Sequence, residues 1–149
     1  EYIGDARKGV SLEEGEGTYL TLRGQVDDLK LVVKALNAWT HKQARSALGK
    51  WLLNLSNELS IPFNKLTVRR QKTLWGSCSA KKNINLNRNL LFLPAAMARY
   101  VLIHELCHVD QLNHSGEFWD LLERHVENGK SMSAKTRQAA SKVPDWATA

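Results

Sequence analysis

His104–Glu105–Leu106–Cys107–His108 places two imidazoles four residues apart with a carboxylate beside the first of them. On a helix, residues four apart lie one above the other, so both rings reach a single ion. Zinc held there lowers the pKa of its water to about 7, and a carboxylate such as Glu105 takes that proton as the water attacks a carbonyl. Two histidines alone make a poor catalytic site, because three protein ligands plus a water is the usual arrangement. His114 follows six residues after His108, and a chain reversal at Leu112–Asn113 returns it towards the ion. Shuffling this composition produces the pentad in roughly one chain in a hundred, so the pentad by itself is only a hypothesis. Requiring the third histidine as well lowers chance to roughly a few in ten thousand. The zinc reading therefore takes precedence over three structural histidines.

The elements around these residues must hold them in place. Pro94 sits where a helix begins, and 95 to about 112 reads as strongly helical, with Asn113 as a left-handed stop. Ser115 suits the cap of a next helix carrying Phe118, Trp119, Leu121, Leu122 and Val126, ended by Gly129. Upstream, Leu29, Val32, Val33, Leu36 and Trp39, then Ala44, Leu48, Trp51, Leu52 and Leu55, recur at helical spacing from Asp27 to about Ser60. That stretch is one long helix or two with a bend near Gly49, started by Asp27 and Asp28 and ended by Pro62. Strands are expected at Thr18–Leu22 (closed by Gly24), at Leu66–Gln71 and at Asn83–Asn87, the last running on towards Leu90–Leu93. Trp75–Ala80 reads as turns, and residues 1–17 as loop with short extended pieces near Tyr2–Ile3 and Val10–Leu12.

The whole chain sets bounds. Its 149 residues suffice for one domain with a real core, and 43% hydrophobic with 24% charged residues is ordinary globular composition. No apolar run is long enough to span a bilayer, and the start has no signal-peptide pattern. The chain opens on Glu1 rather than Met, so it is expected to be part of something longer. Cys78 and Cys107 do not make a disulfide framework, which points to a reduced, cytoplasmic setting. A net charge of +6 is compatible with a polyanionic partner but is a weak hint of one.

The spacing from His104 to His114 matches that of metzincins, but Gln111 stands where they carry a turn glycine, which argues against membership. A closer match lies elsewhere. Trp75–Gly76–Ser77–Cys78–Ser79, Ile84–Asn85–Leu86–Asn87, the pentad, and Asn113–His114–Ser115 followed by Phe118–Trp119 resemble the YgjP-type (DUF45) metallopeptidase family. That family is similar to the SprT-like and WLM/Wss1-like zinc proteases. The resemblance covers about Val26 to Val126 and is strongest from Arg69 to Trp119; Leu74 departs from the basic residue common before the Trp-Gly-Ser-Cys run. It implies an α+β, compact zincin-like (minigluzincin-type) domain: a supporting helix, a small sheet and the active-site helix. On this reading residues 1–128 form the domain, truncated at its N-terminal side, and 129–149 a C-terminal tail with room for a short helix. His104, His108 and His114 would hold one zinc ion, with Glu105 as catalytic acid/base and a polypeptide as substrate. By analogy with zincins, the strand at Ile84–Leu86 would form the cleft edge and pair with an extended substrate.

The remaining residues carry softer expectations. Trp75, Ser77 and Asn85 are candidate substrate contacts, although core, turn and strand roles explain them as well. Cys107 points off the ligand face and packs, and packing is the favoured role for Cys78. Trp51 and Trp119 are assigned to the core, and His41 and His125 to the surface. Arg69, Arg70, Lys72, Lys81 and Lys82 form a basic cluster that a solvated strand face explains. As a phosphate-tracking surface it would suit DNA, in line with the DNA-associated relatives.

Two alternatives stand beside the peptidase. The same zinc–glutamate pair could hydrolyse a nucleoside triphosphate, with Arg69, Arg70 and Lys82 holding the phosphates, although no P-loop is present. Or the zinc is structural and the basic face binds nucleic acid, which the carboxylate of Glu105 speaks against.

Overall fold

The computed structural model describes residues 2–4, 10–14 and 20–148, with side chains from 12 onward. Its longest element is a single helix, α1 (Leu29–Leu59). Asp28 starts it, its carboxylate accepting the amides of Lys30 and Leu31 at 3.0 and 3.4 Å. Ser60, left-handed at φ 57°, closes it. No break falls at Gly49. Its amide stays in the helical ladder, and Leu48 and Leu52, both buried, clamp the helix on either side. The inward stripe runs Val32, Thr40, Ala44, Leu48, Leu52 and Leu55. Leu29, expected on that stripe, is exposed.

Among the described residues there are two three-stranded sheets. In the first, β3 (Leu20–Gly24) lies between β1 (Tyr2–Gly4) and β2 (Val10–Glu14), parallel to one and antiparallel to the other. Of the strand expected at Thr18–Leu22, Leu20–Leu22 lie in β3, and Thr18 and Tyr19 lie outside the described residues. In the second sheet β6 (Asn83–Asn87) is central, parallel to β4 (Lys65–Arg69) and antiparallel to β5 (Gly76–Cys78).

That order corrects two expectations. The turn-rich segment contains a strand, β5, whose Gly-Ser-Cys composition hides it because its ladder bonds are supplied by β6. And β6, covered on both sides, cannot be the cleft edge; β5 is. Nor does β6 run on to Leu93. Asn87 stops it, its side chain donating to the Gln71 and Leu74 carbonyls (2.8 and 3.0 Å) and accepting from the Asn89 amide. Residues Arg88–Phe92 then wind into a 3-10 helix.

Next come α2 (Ala95–Asp110), α3 (Gly116–His125), α4 (Gly129–Arg137) and α5 (Asp145–Thr148), with a second 3-10 turn at Ala139–Lys142. α2 is the buried centre: Leu102, Ile103, Leu106 and Cys107 are fully enclosed, and each buried aliphatic side chain is worth about 1.5–3 kcal/mol. It packs against β5, β6, α1, α3 and α4. α5 docks on α1. Buried Arg88 donates to the carbonyls of Asn37 and Ala147 and to the Asn37 amide oxygen, while Asn37 donates to the Trp146 carbonyl at 3.0 Å. The fold is α+β, with helices gathered on the two small sheets. No helix among the described residues is long and apolar enough to cross a membrane.

Candidate metal centre

One turn apart on α2, His104 and His108 bring their Nε2 atoms to 3.1 Å. His114 arrives from the connection to α3, its Nε2 3.0 Å from His108 and 3.2 Å from His104. The reversal that returns it differs from the expected one. α2 ends at Asp110, Gln111 leaves in extended conformation (φ −131°), and Asn113 is not left-handed. Gln111 earns its place through its carbonyl, which accepts the His108 Nδ1 proton at 2.9 Å. His104 Nδ1 meets the Tyr100 hydroxyl at 2.9 Å.

With its Nδ1 proton on the Gln111 carbonyl, His108 presents an unshared pair at Nε2, towards the Nε2 atoms of His104 and His114. A cation between the three nitrogens would be shared by them. Burial, helped by the two neighbouring imidazoles, holds His104 down at about 3, and burial also lowers His108 against the pull of its Gln111 bond. Neutral, convergent imidazoles are what a divalent metal needs. Nitrogen ligands about 2.0–2.1 Å from a tetrahedral ion lie roughly 3.3–3.4 Å apart, close to the spacing here. Among the described residues this is the one histidine, cysteine and carboxylate cluster of that kind.

Phe118, fully buried on α3, is the floor of the cluster. The His108 ring stacks on it at 4.4 Å and 18°, and His104 and His114 meet it edge-on at 5.0 and 4.9 Å. Glu105, about 100° round the helix from His104, turns towards β5 and is almost fully buried. Desolvation pushes its carboxyl up to about 8. Beside it lies Gly76, where a Cβ would come within 2.9 Å of the Glu105 Cγ and Oε2.

A cavity of about 720 Å³ opens over the three histidines and Glu105. Ser77 and Cys78 of β5 line one side, Leu74, Leu112 and Trp119 form an apolar rim, and Lys130, Ser133 and Arg137 of α4 face them. A smaller space of about 130 Å³ adjoins it, bordered by Trp75, Gly76, Tyr100 and Arg137.

The other expected contacts are distributed unevenly. Trp75 borders the small space, its Nε1 donating to the Thr136 carbonyl at 2.8 Å. Ser77 lines the cavity; Asn85, its partner across the ladder, stands behind it and donates to its Oγ at 3.3 Å. Trp119, assigned to the core, also lines the cavity. The basic cluster is split. Arg69 is level with Asn87 at one end of the sheet and Lys82 precedes Asn83 at the other, some 16 Å away at about 3.3 Å per residue. Arg69, Arg70 and Lys82 are outside the cavity lining. Burial raises the Cys78 thiol to about 11 and the Cys107 thiol to about 12, so both stay protonated, and both are free. His41 and His125 stand on α1 and α3 away from the cluster. Sequence reasoning missed Gly76, the Phe118 floor and the α4 wall; only the spacing of Lys130, Ser133 and Arg137 hinted at the last.

A helix carrying two of three convergent histidines, beside an edge strand and an open cavity, defines a protein of the metallopeptidase class. The chain belongs to the YgjP-like family: the model of the YgjP-like metallopeptidase domain matches residues 5–139, further at both ends than the motifs alone indicated. Among solved structures it is similar to the metallopeptidase zymogen of Pyrococcus abyssi abylysin, with 25% identity and a TM-score of 0.52 over 60% of this chain and 91% of that one. It also resembles the zymogen of Methanocaldococcus jannaschii jannalysin, at 21% identity and TM-score 0.50, over 58% of this chain and 90% of the other. The latter likeness concerns the fold. No curated protein sequence matches. Family membership implies a divalent metal, and the three histidines fit one.

Proposed function

We propose that the protein is a zinc-dependent peptidase in which His104, His108 and His114 hold a single zinc ion and Glu105 is the acid/base. The observation that carries this reading is the meeting of three Nε2 atoms within 3.0–3.2 Å, with the Glu105 carboxyl in the same cavity. Zinc there would acidify a water, polarise a substrate carbonyl and draw Glu105 towards its ionised form. Glu105 takes the proton of the attacking water on a carboxylate oxygen and returns it to the departing amine nitrogen. Its burial suits the second half of that exchange, because desolvation favours the protonated carboxyl that returns the proton, while a bound zinc would favour the ionised form that the first half needs. The free edge of β5 offers its backbone to an extended polypeptide, with Ser77 on the cavity side of that strand.

The test compares wild type with Glu105→Gln and His114→Ala for zinc content and for cleavage of an unfolded casein-like substrate. Glu105→Gln should keep about one equivalent of zinc and lose roughly 10²- to 10⁴-fold in kcat. His114→Ala should lose the zinc. Full activity in the first variant, or full zinc occupancy in the second, refutes the assignment.

A further inference from the structure

The wall of the cavity opposite β5 has a chemistry that the hydrolytic step does not use. Lys130, Ser133 and Arg137 stand at i, i+3 and i+7 on α4, one stripe of a helix, and all three line the cavity over the histidines. Arg137 also borders the smaller space beside Tyr100 and Glu105. Lys130 holds its Nζ 5.6 Å above the Trp119 ring, which keeps its ammonium at the cavity lining while the side chain, like that of Arg137, remains exposed to solvent. Neither cation has a carboxylate within ion-pair distance among the described residues. Glu105 is the cavity's one acidic lining residue among the described residues; it is almost fully buried and makes no ion pair with either cation.

Two unpaired cations on one wall of a concave site set up a positive potential where the substrate passes. An arginine there offers a planar fork that matches a carboxylate, with a lysine as a second point charge; the Ser133 hydroxyl between them is hydrogen-bonded to Tyr100. A cavity of about 720 Å³ accommodates a short run of extended chain and not a folded domain. Whatever carboxylate the wall binds is therefore close to the bond that reaches Glu105.

We propose that Lys130 and Arg137, with Ser133 between them, form a carboxylate-binding wall that selects polypeptides with an anionic group near the cleaved bond. The carboxylate comes from an Asp or Glu side chain or from a chain's own C-terminus. This inference rests on the peptidase reading above for the nature of the substrate.

The experiment uses zinc-loaded Glu105→Gln protein, so that peptides bind without turnover. Dissociation constants are measured by fluorescence anisotropy for a labelled peptide containing Glu, its Gln twin, and free-acid and amidated forms of each. A preference of roughly five- to tenfold for Glu over Gln identifies a side-chain carboxylate, and the same preference for free acid over amide identifies the terminus. Either preference should collapse towards one in Arg137→Ala and Lys130→Ala. With both residues replaced by Glu, a Lys-containing peptide should become the tighter ligand. Equal binding of all four peptides, or a preference that survives the double replacement, overturns the proposal. Wild-type cleavage of the same peptides separates the two readings. Cleavage without charge preference removes the wall and leaves the peptidase; charge-selective binding with no cleavage removes the peptidase and leaves the wall.

Discussion

Gly76 and Glu105 touch in a way that no other residue at position 76 would allow. A Cβ there would lie 2.9 Å from the Glu105 Cγ, 2.9 Å from its Oε2 and 3.1 Å from the Asn85 carbonyl oxygen. The carboxyl has one wall of β5 backbone against it, and a single methyl group would move it.

Gly76→Ala is therefore expected to act first on Glu105, with a lesser crowding of the Asn85 carbonyl. Position 76 is not a φ-strained glycine, so the effect comes from contact and not from backbone conformation. Peptide cleavage should fall roughly 10- to 100-fold, the range in which a small misplacement of a catalytic group costs rate. Zinc content should stay at the wild-type value. Equal kcat in the two proteins would show that the carboxyl relaxes freely around the methyl.

Tyr100 positions His104 through the 2.9 Å contact between its hydroxyl and Nδ1. Removing the oxygen in Tyr100→Phe keeps the ring packed and takes away the group that fixes the imidazole's tautomer and direction. Zinc affinity should drop about 10- to 100-fold, the usual consequence of losing such a partner. Competition with a chromophoric chelator measures it; an unchanged dissociation constant would assign Tyr100 to packing only.

Phe118 should matter to stability and to the metal together. Phe118→Ala leaves a void beneath three rings and is expected to cost about 3–5 kcal/mol in urea unfolding. Phe118→Leu, which refills most of the space, should lose less stability while still loosening the imidazoles that rest on the aromatic face. If both variants bind zinc as wild type does, the floor is structural and does not orient the ligands.

The metal-free protein should have a stability maximum near pH 6.5. His104 is held at about 3 in the fold against 6.5 ordinarily, so the unfolded chain takes up a proton that the folded chain refuses. Its contribution is complete above 6.5 and is lost as pH falls towards 3, and the lowered His108 works in the same direction. Glu105 runs the other way: raised from 4.5 to about 8, it contributes fully below 4.5 and loses that contribution as pH rises through 8. Stability should thus climb with pH up to about 4.5 and rise only shallowly from there to about 6.5, where the loss at Glu105 offsets the gain at His104 and His108 alone adds. It should then decline, each group changing it by less than about 1.4 kcal/mol per pH unit. Urea unfolding in chelator from pH 4 to 8.5 gives the curve. A steady rise to pH 8.5 would mean that Glu105 is ionised in the folded, metal-free chain.

The residues that the sequence determined by itself are those whose geometry is local. His104, Glu105 and His108 stand on one helix, where four-residue spacing aligns two imidazoles whatever the rest of the chain does. The long α1 stripe, the Asp28 start and the β4 and β6 segments were legible for the same reason, since period and capping are properties of neighbours in sequence. His114 was legible as a third nitrogen but not by its route, because the turn depends on the Gln111 carbonyl meeting His108 and not on a left-handed Asn113. β5 was unreadable: three residues of weak strand preference become a strand only when β6 supplies their partners. The approach of Gly76 to Glu105, the Phe118 floor and the α4 wall join residues far apart in the chain. Only packing α2 between β5, α3 and α4 brings those residues to the same cavity, and no local period encodes it.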